Sequence, residues 1–375
     1  MRLVFQDGTF FEGESFGADV NAVGEVVFST GMTGYVESFS DPSFAGQILV
    51  CTYPLIGNYG VPSPDKFESE KMQIAGLVVA NYSETYSHHD AVQSLADWCK
   101  ASGVPAIQGV DTRVITKKLR EKGAMLGQLT RHFINSKQTL EKLKTTSPGS
   151  TDFFSTLQSA GFFDPNTENL VAKVSPKEVQ TYGDGPIRIV LIDCGAKENI
   201  VRSLTRPETT VIRVPWDYDF NASPPAGGYR ALALSNGPGD PTMCGPTVEH
   251  IKAAMAAGKP ILGVCLGNQL LALAAGAKTY KLPYGHRGQN VPCIDVETGR
   301  CYITSQNHGF AVDDASLPAD WKPWFKNAND GSNEGITHVS KPWRSVQFHP
   351  EASPGPTDTA WIFDRFIQDL KNNVI

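Results

Sequence analysis

Gly263-Val264-Cys265-Leu266-Gly267 places a cysteine midway between two glycines. The pattern is that of a nucleophile elbow, with Cys where a hydrolase would carry Ser. Such a turn joins a strand to a helix and lifts the side chain above the sheet. The sulfur then sits at a helix N-terminus, whose partial positive charge favours thiolate. A free cysteine is more commonly a small buried hydrophobe, so the elbow needs partners. A thiol nucleophile needs a base, and of eight histidines His349 stands out. Phe348-His349-Pro350-Glu351 follows an apolar strand, and residues two apart on an extended chain point to one side. Glu351 can therefore hold one ring nitrogen while the other faces the thiol, giving a Cys265–His349–Glu351 triad. His308, in Gln306-Asn307-His308-Gly309-Phe310, reads as a residue lining the site. His88 and His89 lie in a polar loop and read as surface residues. His132, His250, His286 and His338 have no notable neighbours. Asn236-Gly237-Pro238-Gly239-Asp240 exposes backbone N–H groups that, with the amide of Leu266, suit an oxyanion hole.

These groups must be held at strand ends. From Ile187 onward strands and helices alternate. Strands are expected at Ile187–Ile192, Thr210–Val214, Ala231–Leu234, Pro260–Val264 and Ser345–Phe348. Helices are expected at Lys197–Leu204, Val248–Ala257 and Leu266–Ala275, with a last one carrying Trp361, Ile362, Phe366, Ile367 and Leu370 on one face. Alternation of this kind implies an α/β domain with a mainly parallel open sheet, whose sites lie at the carboxyl ends of the strands. A smaller α+β domain precedes it. There Asp7-Gly8 marks a hairpin, and Gly24–Phe28 reads as a strand. A helix is expected over Ala91–Ala101, and another from an Asp111 N-cap to Lys122 with Gly123 as a left-handed stop. The Ser-, Thr-, Gly- and Pro-rich stretch before Ile187 reads as the junction, giving domains at 1–150 and 187–375 and a linker region at 151–186.

The chain has 375 residues, 41% hydrophobic and 19% charged, with 39 acidic against 33 basic residues and a net charge of −6. That is a globular composition of two-domain length, with no basic run to draw nucleic acid. The seven cysteines are scattered, without a CxxC pair or zinc-ligand spacing, so reduced thiols in a cytoplasmic protein are expected. The first eight residues carry no signal core, because Asp7 and Gly8 interrupt it, and Pro260–Ala277 is too polar and glycine-rich for a membrane span. Gly276-Ala277-Lys278-Thr279 is like the end of a phosphate loop, but Ala277 breaks the Gly-Lys adjacency. No metal-ligand cluster and no means of using ATP are apparent.

The elbow cysteine, the glycine-rich turn and the late His-Pro-Glu resemble the class I (triad) glutamine amidotransferases over about residues 187–373. Gly24-Glu25-Val26-Val27-Phe28, Thr30-Gly31-Met32-Thr33-Gly34-Tyr35, Asp41-Pro42-Ser43 and Tyr53-Pro54-Leu55-Ile56-Gly57-Asn58-Tyr59-Gly60 resemble the small-subunit domain of carbamoyl-phosphate synthases. Gly109-Val110-Asp111-Thr112-Arg113, Leu119-Arg120-Glu121-Lys122-Gly123 and Asp193-Cys194-Gly195-Ala196-Lys197 extend the match. The resemblance implies that Cys265 attacks glutamine, His349 carries the proton and Glu351 orients His349. Gly237, Gly239, Leu266, Gln269, Asn307, Gly309 and Phe310 match the family's glutamine site, and Ser43 matches a contact from the first domain. It also implies a partner, a synthetase large subunit or fused synthetase domain that holds ATP and its metal and serves pyrimidine or arginine synthesis. No cofactor, metal, nucleic acid or membrane is expected on this chain. Asn268 departs from the family, many of whose members carry His there. The alternative is a stand-alone amidase or γ-glutamyl hydrolase on the same triad, against which the first-domain motifs count.

Overall fold

Four consecutive apolar residues, Ile189 to Ile192, can all be buried only if both faces of their strand are covered. The computed structural model, which describes residues 1–131 and 161–372, covers both faces. Val190 and Ile192 point into one core cluster with Val248, Ile251, Leu270 and Leu271. Ile189 and Leu191 point into another with Ile200, Leu204, Ile362, Phe363, Phe366 and Leu370. Fully burying each such side chain contributes about 1.5–3 kcal/mol. The helices Gly245–Ala256 and Leu266–Ala275 supply the first cover, and Glu198–Leu204 and Trp361–Lys371 the second.

The chain divides into two units, Met1–Thr167 and Glu168–Ile375. In the second, five parallel strands run in the order Thr209–Pro215, Ile187–Asp193, Ala231–Leu234, Ile261–Val264 and Trp343–Val346. Their parallel pairing and the flanking helices are the α/β arrangement expected. The sheet then continues antiparallel through Asn333–His338, Trp321–Asn327, Thr279–Asp295 and Cys301–Val312. That extension has no counterpart in the sequence reading, because irregularities interrupt its pairing between Lys281 and His286 and between Gly288 and Val291. Such breaks blur the two-residue periodicity.

The expected linker at 151–186 needs correction; its first ten residues lie outside the described ones. Pro165–Thr167 forms a turn of the first unit. Beyond it, Val171 is buried in the second core, and Gln180–Tyr182 pairs antiparallel with Val211–Arg213 at the sheet edge. An edge strand exposes its side chains, so its polar composition reads as loop.

In the first unit an eight-stranded mixed sheet runs Phe10–Glu12, Arg2–Phe5, Met125–Thr130, Ala22–Ser29, Gln47–Cys51, Gly76–Val78, Ala106–Gln108 and Glu14–Ser15. The Asp7-Gly8 hairpin forms with Gly8 at φ 82°. The helix expected from Ala91 begins only at Leu95, since Ser94 caps it by accepting from the Asp97 amide at 3.1 Å. Val92 and Gln93 instead pair with Val61. Asp111 caps Thr112–Lys122 as expected. Gly123 ends that helix at φ 87° and ψ 178° rather than in the left-handed helical region. Ser43 lies buried in the turn Pro42–Phe44, where its amide donates to Asp41 Oδ1 at 2.9 Å.

Candidate active site

Cys265 leaves the carboxyl end of Ile261–Val264 and begins the helix Leu266–Ala275 with φ 55° and ψ −104°. The strain is on the cysteine itself. The flanking glycines serve by closeness: a Cβ on Gly263 would lie 2.6 Å from Gly267 O, and one on Gly267 would lie 2.5 Å from Leu234 O. Among the described residues, the other non-glycine positions with positive φ are Ala352 and Ser353, just after Glu351. Backbone strain concentrated this way marks functional sites. The turn is secured by Cys265 N donating to Val346 O at 2.8 Å and Gly267 N to Ser235 O at 3.0 Å. Gly237 follows the neighbouring parallel strand, and a Cβ there would lie 2.2 Å from Cys194 O and 2.8 Å from Leu266 Cδ2. Only glycine lets this turn approach the helix start.

His349 and Glu351 extend from the next strand, Trp343–Val346. His349 Nδ1 is 2.6 Å from Glu351 Oε1. His349 Nε2 is buried and has no hydrogen-bond partner among the described residues. Burial alone would strip the proton from His349, but the charges of Glu351 and Cys265 override it and push this histidine up to about 10. Burial likewise favours protonated Glu351, and is outweighed by the Lys197 ammonium and then His349, which draw the carboxyl down to about 2. Lys197 itself is buried, its Nζ 3.1 Å from Glu351 Oε1 and bonded to Ala352 O. Asn199 Nδ2 donates to Glu351 O. The turn that carries Lys197 is held by Asp193 Oδ1, which accepts from the amides of Gly195 and Ala196 at 2.7 and 2.8 Å.

The hairpin Thr279–Asp295/Cys301–Val312 closes the site from the far side. Asn307 O lies 3.7 Å from Cys265 Sγ, so the backbone of Asn307, rather than its amide group, faces the sulfur. Gln269 Nε2 donates to Phe310 O at 2.9 Å and Gln347 Oε1 at 3.2 Å. Both its hydrogens are thereby engaged, leaving Oε1 as its free acceptor face. Gly309 has room for a Cβ only 3.3 Å from the Arg287 guanidinium. Cys265, His349, Glu351, Gly237, Leu266, Gln269 and Asn307 thus meet at the carboxyl ends of adjacent strands and on the covering hairpin. Gly239 lies on the same turn as Gly237, its Cβ position facing Leu170. Ser43 belongs to the first unit.

His308 is buried, with Nδ1 2.8 Å from Phe310 O and Nε2 3.1 Å from Gln306 Oε1. Burial, and then the charge of His286, hold it well below the ordinary histidine value. His286, without notable neighbours in sequence, folds beside Asp330 at 2.8 Å and Glu334 at 3.5 Å. Folding thereby gathers His286, His308 and Glu334 with ligand atoms within 4.8 Å of one another, a cluster the sequence did not reveal. Asn327 Nδ2 donates to Glu334 Oε1 at 2.8 Å within it. His88 and His89 are exposed, as expected, and His132 lies outside the described residues. Asn199 and Gln347 were not singled out in sequence, and Asp193 and Lys197 entered only as the ends of a matching motif, without a role at the site. For Gln347 a signal existed: Ser345, Gln347 and His349 are polar at a spacing of two, on the face that meets Cys265.

The buried Lys197–Glu351–His349 series carries a stability prediction. His349's raised value stabilises fully below about pH 6.5, its unfolded reference, and that share is lost as pH rises toward about 10. Glu351's depressed value stabilises fully above about pH 4.5, and that share is lost as pH falls toward about 2. Between pH ~4.5 and ~6.5 both are in force. Glu351→Gln removes the carboxylate that faces both the buried Lys197 ammonium and His349 and is expected to cost about 3 kcal/mol there. In denaturant titrations the gap to wild type should narrow at pH 10; a gap independent of pH would contradict the coupling.

Residues 190–369 match the family described as Glutamine amidotransferase class-I. Residues 3–129 match the family described as Carbamoyl-phosphate synthase small chain, CPSase domain. The carbamoyl phosphate synthase arginine-specific small chain of Neosartorya fischeri is 48% identical over 380 residues, covering 98% of this chain and 79% of that one. The multifunctional protein pyrABCN of Emericella nidulans is 48% identical over 398 residues, covering 99% of this chain and 17% of its own length. Among solved structures, a glutamine amidotransferase from Thermotoga maritima, 21% identical, aligns at a TM-score of 0.36 over 51% of this chain and 87% of that one. By the first family match, the second unit is a class I glutamine amidotransferase domain. With the first-unit match and the small-chain relative beside it, the chain belongs to the carbamoyl-phosphate synthase small chain family. It spans less than a quarter of the multifunctional relatives, 17% and 21% of the first two. Among the described residues no helix is long and apolar enough to cross a membrane.

Proposed function

We propose that the chain hydrolyses glutamine to glutamate and ammonia through a glutamyl thioester on Cys265, and that the ammonia passes to a carbamoyl-phosphate synthetase unit using bicarbonate and ATP. The observation that carries this reading is the His349–Glu351 pair at 2.6 Å, with the sulfur of Cys265, itself at φ 55°, close enough to raise the proton affinity of His349. Cys265 Sγ attacks the side-chain amide carbon. The resulting oxyanion is taken up by the amide of Leu266 and the Gly237–Gly239 turn. His349 passes its proton to the amide nitrogen, the C–N bond breaks, and ammonia leaves a thioester. Water then attacks; His349 takes its proton and returns it to sulfur, and glutamate departs. Gln269 Oε1 and the backbone around Asn307, Gly309 and Phe310 bind the amino-acid end of glutamine.

Ammonia released into water is protonated and lost to the synthetase step, so the acceptor must sit on a docked unit that also holds ATP and its metal. Relatives of both kinds, separate small chains and multifunctional polypeptides, match at 48%, which supports a partner either separate or fused. The test is the glutaminase rate with and without a synthetase unit, ATP and bicarbonate. Coupling of 1–3 kcal/mol predicts a rise of roughly 5- to 150-fold. An unchanged rate and no complex would leave the stand-alone amidase reading.

A further inference from the structure

Gln347 precedes the Phe348-His349-Pro350-Glu351 segment and is fully buried. Its amide orientation is dictated by a chain of bonds that starts at a backbone carbonyl. Phe310 O can only accept, so Gln269 turns Nε2 toward it at 2.9 Å. The same Nε2 then faces Gln347 Oε1 at 3.2 Å. Asn268 Nδ2 donates to that oxygen as well, also at 3.2 Å, while Asn268 Oδ1 accepts from Ser345 Oγ at 2.8 Å. With two donors on its oxygen, Gln347 has one way to point its nitrogen. Nε2 lies 3.6 Å from Cys265 Sγ. The main chain is fixed too, Gln347 N donating to Glu334 O at 2.8 Å.

We propose that Gln347 is a further catalytic residue whose amide N–H donates to the Cys265 sulfur, and that Asn268 is the positioning residue that keeps this amide from turning over. This rests on the glutamine-hydrolysing reading above and deepens it. The sulfur meets opposite partners: Asn307 O at 3.7 Å accepts from the thiol, and Gln347 Nε2 donates to the thiolate. Each state that the reaction visits at sulfur, nucleophile and leaving group, thus has a fixed neighbour. A donor to an anion in a water-poor site is stronger than a neutral hydrogen bond. It costs no reorganisation, because Asn268 and Gln269 have already set it.

The test compares glutaminase kinetics of the whole chain as wild type, Q347E, Q347M and N268D. Q347E keeps the volume and both accepted bonds and replaces only the donor facing sulfur. It is expected to lower kcat about 100-fold, more at pH 9 than at pH 5, since protonation of the carboxyl restores a donor. Q347M removes the donor without adding charge and should lose kcat equally at both pH values. N268D presents an acceptor to Gln347 Oε1 and should lower kcat about tenfold with KM unchanged. If Q347E fails to fold, Q347M decides the same question. Wild type active, with Q347E or Q347M within threefold of it at both pH values, overturns the inference and leaves the glutaminase reading standing. A wild-type chain inactive with and without a synthetase unit speaks against that reading instead.

Discussion

Cys265→Ser is expected to abolish glutamine hydrolysis, by roughly a thousandfold or more, without unfolding the protein. Two features set this size. Sulfur can share its proton with His349 before attack, whereas a hydroxyl at the same place holds its proton far more tightly. The other cysteines are poor substitutes: burial raises the thiols of Cys51, Cys99, Cys194, Cys244 and Cys293, and Cys301 is exposed. Ser and Cys differ little in volume, so the helix start and its contacts to Val346 and Ser235 should survive, and Tm should change by only a few degrees. Steady-state glutaminase assays check this. Activity within about tenfold of wild type would remove Cys265 as nucleophile.

His349→Asn should cost 10²–10⁴-fold, the usual worth of a positioned proton carrier. Glu351→Gln should cost at least tenfold less in rate, because its amide oxygen still accepts from His349 Nδ1 and the hydrogen bond that orients the ring survives. The two variants thus separate chemistry from support: the first loses mainly rate, the second mainly stability, through the lost carboxylate beside the buried Lys197. Equal losses in rate, or a base function that maps to His308, would overturn the assignment. His308 is a poor competitor because its Nδ1 and Nε2 are already at Phe310 O and Gln306 Oε1.

The turn at Cys265 and the His349–Glu351 pair were legible because each part is local. Spacing of two on an extended chain joins His349 to Glu351, and the glycines around Cys265 mark a turn whose tight contacts exclude any other residue. The parallel core was legible for the same reason, since buried strands such as Ile187–Asp193 are continuous apolar runs. What escaped depends on contacts distant in sequence. Lys197 lies 154 residues from Glu351, and a lysine in sequence reads as solvated until a buried carboxylate is found beside it. Gln347 and Asn268 meet across 79 residues. The covering hairpin escaped because interruptions in its pairing hide its alternation, although it carries the Asn307 carbonyl to the sulfur. Asn268 illustrates the point from the other side. In sequence it is only a departure from a family pattern, whereas in the fold its Oδ1 and Nδ2 are both satisfied, by Ser345 and Gln347.

The central claim is that the glutamyl group is carried on Cys265. The most direct measurement is acid quench of the wild-type protein during glutamine turnover, followed by proteolysis and mass spectrometry of the peptide containing Cys265. The account predicts a glutamyl adduct on that residue, labile to hydroxylamine and missing from Cys265→Ser. Steady glutamine hydrolysis with no adduct on Cys265, or with the adduct on another residue, would contradict it.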